Sequence, residues 1–199
     1  MNEASSGLAP VIVIHGVFRI VDGLARVILI NTRRIISRLM ARGTGAMGAL
    51  LCTRLRFLLL RQMKAADGIL LGSPVHFSAI GGTMKSFLDR AFYVNGVNGN
   101  LLRHKVGAAV VAVRRSGGLP AFNQLNNFLC YSEMLLPTSN YWNVIHGTRP
   151  GEATKDEEGR QIMQVLGRNM AWLMQLVQHG RDAVPAPARE NKIYMNFIR

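Results

Sequence analysis

Two short stretches carry residue types that could hold a ligand: "GSPVHF" at residues 72–77 and "RRSGG" at residues 114–118. In the first, His76 and Phe77 supply planar surfaces that suit stacking on an aromatic ligand. In the second, a pair of glycines lets main-chain N–H groups reach the polar edge of such a ligand. Together the stretches predict a site for a flat, heteroaromatic cofactor. The serine in each stretch adds a hydroxyl group to this site.

Each stretch has a plainer interpretation when it is taken alone. Gly-Ser-Pro and Gly-Gly are common in ordinary turns, and a His beside a Phe is more often packed or solvated than functional. The case for a site depends on both stretches following neighbouring strands, because ligands of open α/β sheets bind beyond the carboxyl ends of the strands. No Ser/His/Asp or Cys/His arrangement can be defended, so we expect no catalytic side chain and no metal site.

The segments around these stretches predict a parallel sheet. "GILLG", 68–72, and "VGAAVVAV", 106–113, are continuous apolar runs, as expected of strands buried on both faces. Shorter strands are predicted at residues 10–15, 26–31 and 134–137. Strands that alternate with helical patterns are the signature of an α/β protein.

Helices are predicted between these strands. Ser78 is the predicted N-cap of the first clear one, whose inner face comprises Ile80, Met84, Phe87, Leu88, Ala91 and Phe92. Others are predicted at 32–42, 50–64, 120–131 and 156–178. The last has acidic residues in its first turn, where the helix dipole favours them, and an inner face of Ile162, Leu166, Leu173, Leu176 and Val177.

Composition narrows the function classes. The chain has 199 residues, of which 49% are hydrophobic, enough for one domain with a sizeable core. Its two cysteines, Cys52 and Cys130, indicate neither a disulfide framework nor a zinc site. No apolar run is long enough to span a membrane, so we expect a cytoplasmic protein with no membrane partner. The net charge is +13, but the basic residues are not interleaved with aromatic residues and form no recognisable nucleic-acid-binding module. We therefore expect no nucleic-acid partner.

The stretch "ADGILLGSPVHFSAIGGTMKSFLDR", residues 66–90, closely resembles the second flavin-binding loop and following helix of the NADPH-dependent FMN reductase family, including its iron–sulfur flavoprotein-like branch. "AAVVAVRRSGG", 108–118, resembles the strand and loop that contact the flavin ring, and the likeness runs from about residue 62 to 178. The resemblance implies a flavodoxin-like α/β fold: a doubly wound parallel sheet with helices on both faces. We expect a single domain over residues 1–182, followed by a C-terminal tail at 183–199 that begins with the alternation "PAPA".

The same resemblance implies FMN as cofactor, NAD(P)H as electron donor, and a quinone, flavin or other small molecule as acceptor. The residues it places around the flavin ring are Ser73, Pro74, Val75, His76 and Phe77 on one side and Arg114, Arg115, Ser116, Gly117 and Gly118 across it. It also implies a homodimer or homotetramer, for which Phe92, Tyr93, Trp142 and the apolar tail are candidate interface residues. The alternative is a non-enzymatic flavodoxin-like electron carrier or an inactive relic.

The sequence departs from the family before Ala66. The phosphate loop of the form G-S-x-R-x-x-G-N-[ST] is absent there, and "NTRR", 31–34, is the one candidate for a substitute. The cysteine cluster of the iron–sulfur branch is missing as well. We interpret residues 1–61 as divergent or as read in a shifted frame of the ancestral gene, and we expect impaired binding of the FMN phosphate.

Overall fold

The structure, a computed structural model, describes residues 17–19, 26–31, 59–149, 151–195 and 197. The strands within these residues are β1 (Val17–Arg19), β2 (Arg26–Asn31), β3 (Gly68–His76), β4 (Ala79–Ile80), β5 (Val106–Val113) and β6 (Val144–His146). They pair in the order β1-β2-β3-β5-β6, and β4 folds back on the end of β3. The central strands β2, β3, β5 and β6 are parallel, whereas β1 pairs antiparallel to β2.

The register of the parallel strands brings their carboxyl ends to one edge of the sheet. Asn31, the last residue of β2, pairs with Gly72 of β3. On the other side of β3, Pro74 pairs with Ala112, and β5 and β6 end level with each other at Val113 and His146. Loops that follow these strands therefore all leave the sheet at the same edge, which is where open α/β sheets bind ligands.

Helices cover both faces of the sheet. They are α1 (Gly82–Val97), α2 (Gly118–Tyr131) and α3 (Glu157–Gly180), with a 3-10 turn at Glu152–Lys155 and helical residues at 59–65. One face of β5 presents Ala109 and Val111 to the core beneath α1 and α2. The alternate residues Val106 and Ala108 pack beneath α3. This period-two division explains why β3 and β5 appear in the sequence as continuous apolar runs, and it confirms the predicted doubly wound α/β fold.

A buried amide fixes the ends of α1 and α2 relative to the start of β5. Asn95 of α1 is fully buried, and its Nδ2 donates to Asn100 Oδ1 at 2.8 Å and to Ser132 Oγ at 3.0 Å. Its Oδ1 accepts from the backbone N–H of Leu102 at 2.9 Å. All of this side chain's polar atoms are thus engaged, as burial requires. The cluster lies at the end of the sheet opposite the carboxyl edge.

Several sequence predictions are corrected by the structure. Residues 134–137 do not form a strand, because only Leu135 makes an isolated bridge to Val106. Ser78 does not cap α1, which begins later with Gly81 as its N-cap and no side-chain cap. Ile80 is buried as predicted but belongs to β4 rather than to the helix.

Other predictions hold in part. The helix predicted at 120–131 begins at Gly118. On α3 the inner face includes Met170 and Met174, which the sequence analysis missed, whereas Leu176 is 47% exposed. The strand predicted at 26–31 is confirmed, and residues 10–15, 32–42 and 50–58 lie outside the described residues. Among the described residues, no helix combines the length and apolar character that a membrane crossing needs.

The amino end of α3 supplies a pH-dependent test of the fold. Asp156 is the N-cap, and its Oδ1 accepts from the backbone N–H of Gly159 at 2.9 Å. This hydrogen bond, aided by the backbone and ring of His146, lowers the pKa of Asp156 below 3.8. Because the pKa is lower in the folded state, the carboxylate stabilises the fold above about pH 4, and this contribution is lost as the pH falls through the folded-state pKa.

We therefore expect Asp156→Ala to lower the free energy of unfolding by about 0.5–2 kcal/mol at pH 7 and by clearly less near pH 3. Urea unfolding followed by circular dichroism at both pH values measures this. Glu158→Ala is the matched control, since Glu158 lies in the same turn but makes no cap. A penalty that is the same at both pH values would contradict the assignment of Asp156 as a charged cap.

Candidate functional site

The first predicted loop is a tight hairpin at the carboxyl edge. β3 runs on beyond the sheet and reverses into β4, with Val75 opposite Ile80 and His76 opposite Ala79. The two turn residues, Phe77 and Ser78, both have positive φ, 49° and 60°. Positive φ at both central positions is characteristic of a type I′ turn, which normally takes Asn or Gly. Phe77 is therefore held in a conformation that is unfavourable for a bulky residue.

The side chain of Phe77 is not packed against the protein, so packing does not offset the cost of this backbone conformation. Its side chain is fully exposed, with a relative accessibility of 105%. Unfavourable backbone conformations persist where surrounding structure imposes them, and they concentrate at ligand sites. The hairpin thus presents an aromatic ring to solvent at the ligand-binding edge.

Ser73 and Gln124 hold the hairpin in place from below. Ser73 is buried, and its hydroxyl donates to the carbonyl of Pro74 at 2.8 Å and accepts from the backbone N–H of Gly81 at 3.1 Å. Gln124 of α2 accepts from the backbone N–H of Ile80 through its Oε1 at 3.1 Å. Both ends of the hairpin are therefore tied to the body of the protein, which accounts for how the turn conformation is maintained.

The second predicted loop meets the hairpin directly. Gly117, the N-cap of α2, has φ of 84°, a left-handed conformation that favours glycine. A Cβ atom at this position would lie 2.7 Å from Ser78 Oγ and 3.0 Å from Ser78 Cα. Glycine is required here for both conformation and space, and its absence of a side chain lets the two loops pack against each other.

The predicted site residues lie partly at the surface and partly in the core. Six of them are exposed at the carboxyl edge, namely Pro74, His76, Phe77, Arg114, Arg115 and Ser116, whereas Val75 is half-buried. Gly118 is buried, and a Cβ there would meet Val144 Cγ1 at 3.0 Å rather than the hairpin. The exposed part of the candidate site is thus an aromatic hairpin tip beside two arginines.

A third strand end contributes polar groups that the sequence analysis missed. His146 ends β6 beside Val113; its backbone N–H donates to Asp156 Oδ2 at 2.7 Å, and its Nδ1 lies 3.3 Å from the same oxygen. Just before β6, buried Asn143 donates from Nδ2 to the carbonyl of Ala109 at 3.0 Å. Asn143 lies in the stretch "YWNV", 141–144, but its buried role could be recognised only once the strand that it lies against was known.

The strand order, the parallel register and the two loops that meet at the carboxyl edge define a flavodoxin-like α/β protein. Residues 58–149 match the family model of NADPH-dependent FMN reductase, a span that includes both loops. The resemblance carried by residues 66–90 is thereby confirmed.

Relatives of known sequence agree with this assignment. The chain is 35% identical over 127 residues to an iron–sulfur flavoprotein of Methanocaldococcus jannaschii, covering 60% of this chain and 65% of that protein. It is 27% identical over 123 residues to an iron–sulfur flavoprotein of Methanosarcina thermophila, covering 61% of this chain and 63% of that protein. The chain thus spans less than two thirds of the length of these relatives.

Solved structures support the fold. The structure of RosB with a bound 8-demethyl-8-formylriboflavin-5'-phosphate intermediate aligns with a TM-score of 0.51 at 15% identity, covering 72% of this chain and 67% of that one. The Trp repressor binding protein of Bacillus subtilis aligns with a TM-score of 0.50 at 16% identity, covering 56% and 69%. At these identities the likeness concerns the fold alone.

The cysteines of this chain do not fit the iron–sulfur cluster in the names of the relatives. Such clusters are generally held by four cysteine thiolates, and the sequence has two cysteines, Cys52 and Cys130. Within the described part of the chain, no group of three or more His, Cys, Asp or Glu residues could hold a metal ion. No chemistry of this chain is therefore assigned to a cluster.

The conformation of Phe77 generates a test that separates a structural role from a ligand-binding one. Phe77→Asn places a residue that tolerates positive φ in the type I′ turn, and it removes a ring that buries nothing. We expect the free energy of unfolding to rise by about 0.5–1 kcal/mol, measured by urea unfolding. Trp172→Asn is the control, because Trp172 is also exposed, at 62%, but lies on a helix where no such gain is expected. Destabilisation by Phe77→Asn would mean that the ring has a packing role in this fold.

Proposed function

We propose that this protein is an FMN-dependent NAD(P)H oxidoreductase that passes electrons to a quinone, a flavin or another small acceptor. The observation that carries the proposal is the contact between the hairpin turn and Gly117 at the carboxyl edge, within the span that matches the FMN reductase family. The names of the curated relatives, iron–sulfur flavoproteins, favour a flavin in the same way. Bound FMN would supply the chemistry, by accepting hydride from NAD(P)H and releasing electrons to the acceptor.

The chain's own residues would bind and orient the ring. The exposed ring of Phe77 and the imidazole of His76 offer surfaces for stacking. The amino end of α2 begins at Gly118 next to the hairpin, so its backbone N–H groups and the positive end of its dipole face this edge. Ser73 would act indirectly, since its hydroxyl is engaged in holding the hairpin.

Arg114 and Arg115 would contribute electrostatics. Both are exposed at the end of β5, beside the hairpin. Two guanidinium groups at this edge favour the negative charge that a flavin acquires on reduction, and they attract an anionic dinucleotide. Neither role requires a side chain to donate or accept a proton.

The effect of these arginines can be measured. We expect the double variant Arg114→Ala/Arg115→Ala to bind NADPH at least several-fold more weakly and to lower the reduction potential of bound FMN, with both effects shrinking at high salt. Spectroelectrochemistry and NADPH titration of the flavin-loaded protein check this. Arg168→Ala is the control, because Arg168 is exposed on α3, away from the edge. An unchanged potential and unchanged NADPH affinity in the double variant would argue against a flavin beside these residues.

Phosphate binding is where the chain departs from the family. β2 ends at Asn31 beside Gly72, so "NTRR", 31–34, begins with the last residue of a strand that ends at the carboxyl edge. Residues 32–34 lie outside the described residues. The stretch lacks the glycines that allow a backbone to wrap around phosphate. Each charge-assisted hydrogen bond to phosphate contributes about 1.5–3 kcal/mol, so losing several would weaken FMN on the order of a thousandfold relative to a complete loop.

We therefore expect the purified chain to bind FMN and riboflavin with dissociation constants within about tenfold of each other. Quenching of flavin fluorescence measures both, and riboflavin is the matched ligand because it lacks only the phosphate. Submicromolar FMN with riboflavin about a hundredfold weaker would reveal a working phosphate site and contradict our interpretation of residues 1–61.

Measuring NADPH oxidation distinguishes an enzyme from a non-enzymatic electron carrier and from an inactive relic. Oxidation of NADPH in the presence of a quinone by the flavin-loaded chain would support the proposed reaction. Flavin binding without NAD(P)H oxidation would indicate an electron carrier instead. Failure of a folded chain to bind either flavin would indicate a relic and overturn the proposal.

A further inference from the structure

The end of β6 carries a histidine that a carboxylate holds at the carboxyl edge of the sheet. The Nδ1 atom of His146 lies 3.3 Å from Asp156 Oδ2, and the backbone N–H of His146 donates to the same oxygen at 2.7 Å. Any residue at this position could make the backbone hydrogen bond, whereas the contact of the ring requires a histidine. The side chain of His146 is 54% exposed, so the ring is held at one nitrogen and remains accessible to a ligand.

Asp156 is fixed in both position and charge. Its Oδ1 accepts from the backbone N–H of Gly159, and this hydrogen bond lowers the pKa of the carboxyl below 3.8, so Asp156 is charged at neutral pH. A Cβ on Gly159 would overlap Asp156 Oδ2 and lie 2.9 Å from Ile145 Cγ1, so glycine at this position lets the carboxylate approach the end of β6. A carboxylate beside Nδ1 keeps a proton on that nitrogen and leaves Nε2 to exchange a proton with a ligand.

The ring of His146 lies beside the loop that the family resemblance places across the flavin ring. The backbone N–H of Gly147 donates to the carbonyl of Val113 at 3.0 Å, so the chains that follow β5 and β6 leave the sheet side by side. Because side chains alternate along a strand, His146 leaves β6 on the same face as Val144, whose Cγ1 would touch a Cβ on Gly118. The Nε2 atom of His146 makes no hydrogen bond with another residue that the structure describes.

Asp156 is the ionic partner of the ring, and the other charges nearby do not compete for Nδ1. The carboxylate of Glu152, in the loop after β6, accepts from two backbone N–H groups of that loop at 2.8 and 2.9 Å. The remaining charged side chains of the adjoining segments are exposed and form no ion pair with His146, namely Arg114, Arg115, Arg149, Lys155, Glu157 and Glu158. The contact with Asp156 therefore sets which nitrogen of the ring carries the proton.

Building on the proposed function, we propose that His146 is the catalytic proton donor of this site and that Asp156 positions its ring, which makes the electron acceptor a quinone-type molecule. A quinone becomes a hydroquinone by taking up two electrons and two protons. One proton arrives with the hydride that NADPH supplies, and the second passes from Nε2 of protonated His146 to a quinone oxygen. The ring is left neutral and regains a proton from water, so NADPH, one proton and the quinone give NADP⁺ and the hydroquinone.

Two acceptors that differ in their demand for protons test this role. Ferricyanide takes one electron and no proton, so the ratio of the rates with a benzoquinone and with ferricyanide isolates the proton transfer. The flavin-loaded full chain is reduced with NADPH in the absence of oxygen, and its reoxidation by each acceptor is followed by stopped-flow absorbance. We expect His146→Gln to lower this ratio about a hundredfold with an unchanged ferricyanide rate, because an amide cannot act as a proton donor at neutral pH.

Asp156→Asn tests the positioning of the ring. Asparagine still caps α3 through its Oδ1, but its amide donates toward Nδ1, so Nε2 gives up its proton less readily. We expect the ratio to fall about tenfold or more in this variant. His179→Gln, at an exposed histidine in the last turn of α3, is the control and should leave both rates unchanged.

The outcomes separate the role of His146 from the proposed function. An unchanged ratio in His146→Gln or in Asp156→Asn, or equal losses with both acceptors, would overturn the assignment of this pair. A flavin-loaded wild type that oxidises NADPH with neither acceptor would overturn the proposed function, and the role of His146 with it. Circular dichroism confirms that the variants fold.

The orientation of the ring can also be measured without flavin. Nitrogen-15 NMR of the purified full chain reports which imidazole nitrogen is protonated in the neutral ring, and His146→Gln identifies the signal among the five histidines. We expect the proton on Nδ1 in the wild type and on Nε2 in Asp156→Asn. A wild-type ring protonated on Nε2 would show that Asp156 does not orient it and would overturn the proposal.

Discussion

The pairing of β3 on both sides is the constraint from which the rest of the described structure follows. β3 lies between β2 and β5 in parallel register, and its apolar side chains enter the cores on both faces. A strand in this position cannot expose its backbone or reverse within the sheet, so the chain can turn only after it passes the carboxyl edge. The hairpin is therefore fixed at that edge by the burial of the strand that leads into it.

The hairpin in turn determines which residue the neighbouring loop can have at the point of contact. Once Ser78 occupies the space above β5, the residue opposite can have no side chain, and Gly117 meets this requirement. Gln124 of α2 then accepts from the backbone of Ile80, so the helix that begins after the second loop holds the first. A ligand at this edge would contact two loops that support each other, which reduces the entropy lost on binding.

The two ends of the sheet differ in how far their polar groups are hydrogen-bonded within the protein. At the carboxyl edge, Phe77 is fully exposed, and Arg114 and Arg115 are exposed and form no hydrogen bond or ion pair with another residue that the structure describes. At the opposite end, the polar groups around Asn95 are fully hydrogen-bonded to each other.

The sequence by itself determined the apolar strands, the helix periodicity and the two loops, because each depends on residues close together along the chain. The tertiary structure alone decided that Ser78 turns a hairpin rather than capping a helix, that residues 134–137 make one bridge, and that Gly118 faces Val144. It also brought His146 to Asp156 and left Ile193 and Phe197 exposed. These outcomes depend on which distant segments become neighbours, and local sequence patterns carry no information about such contacts.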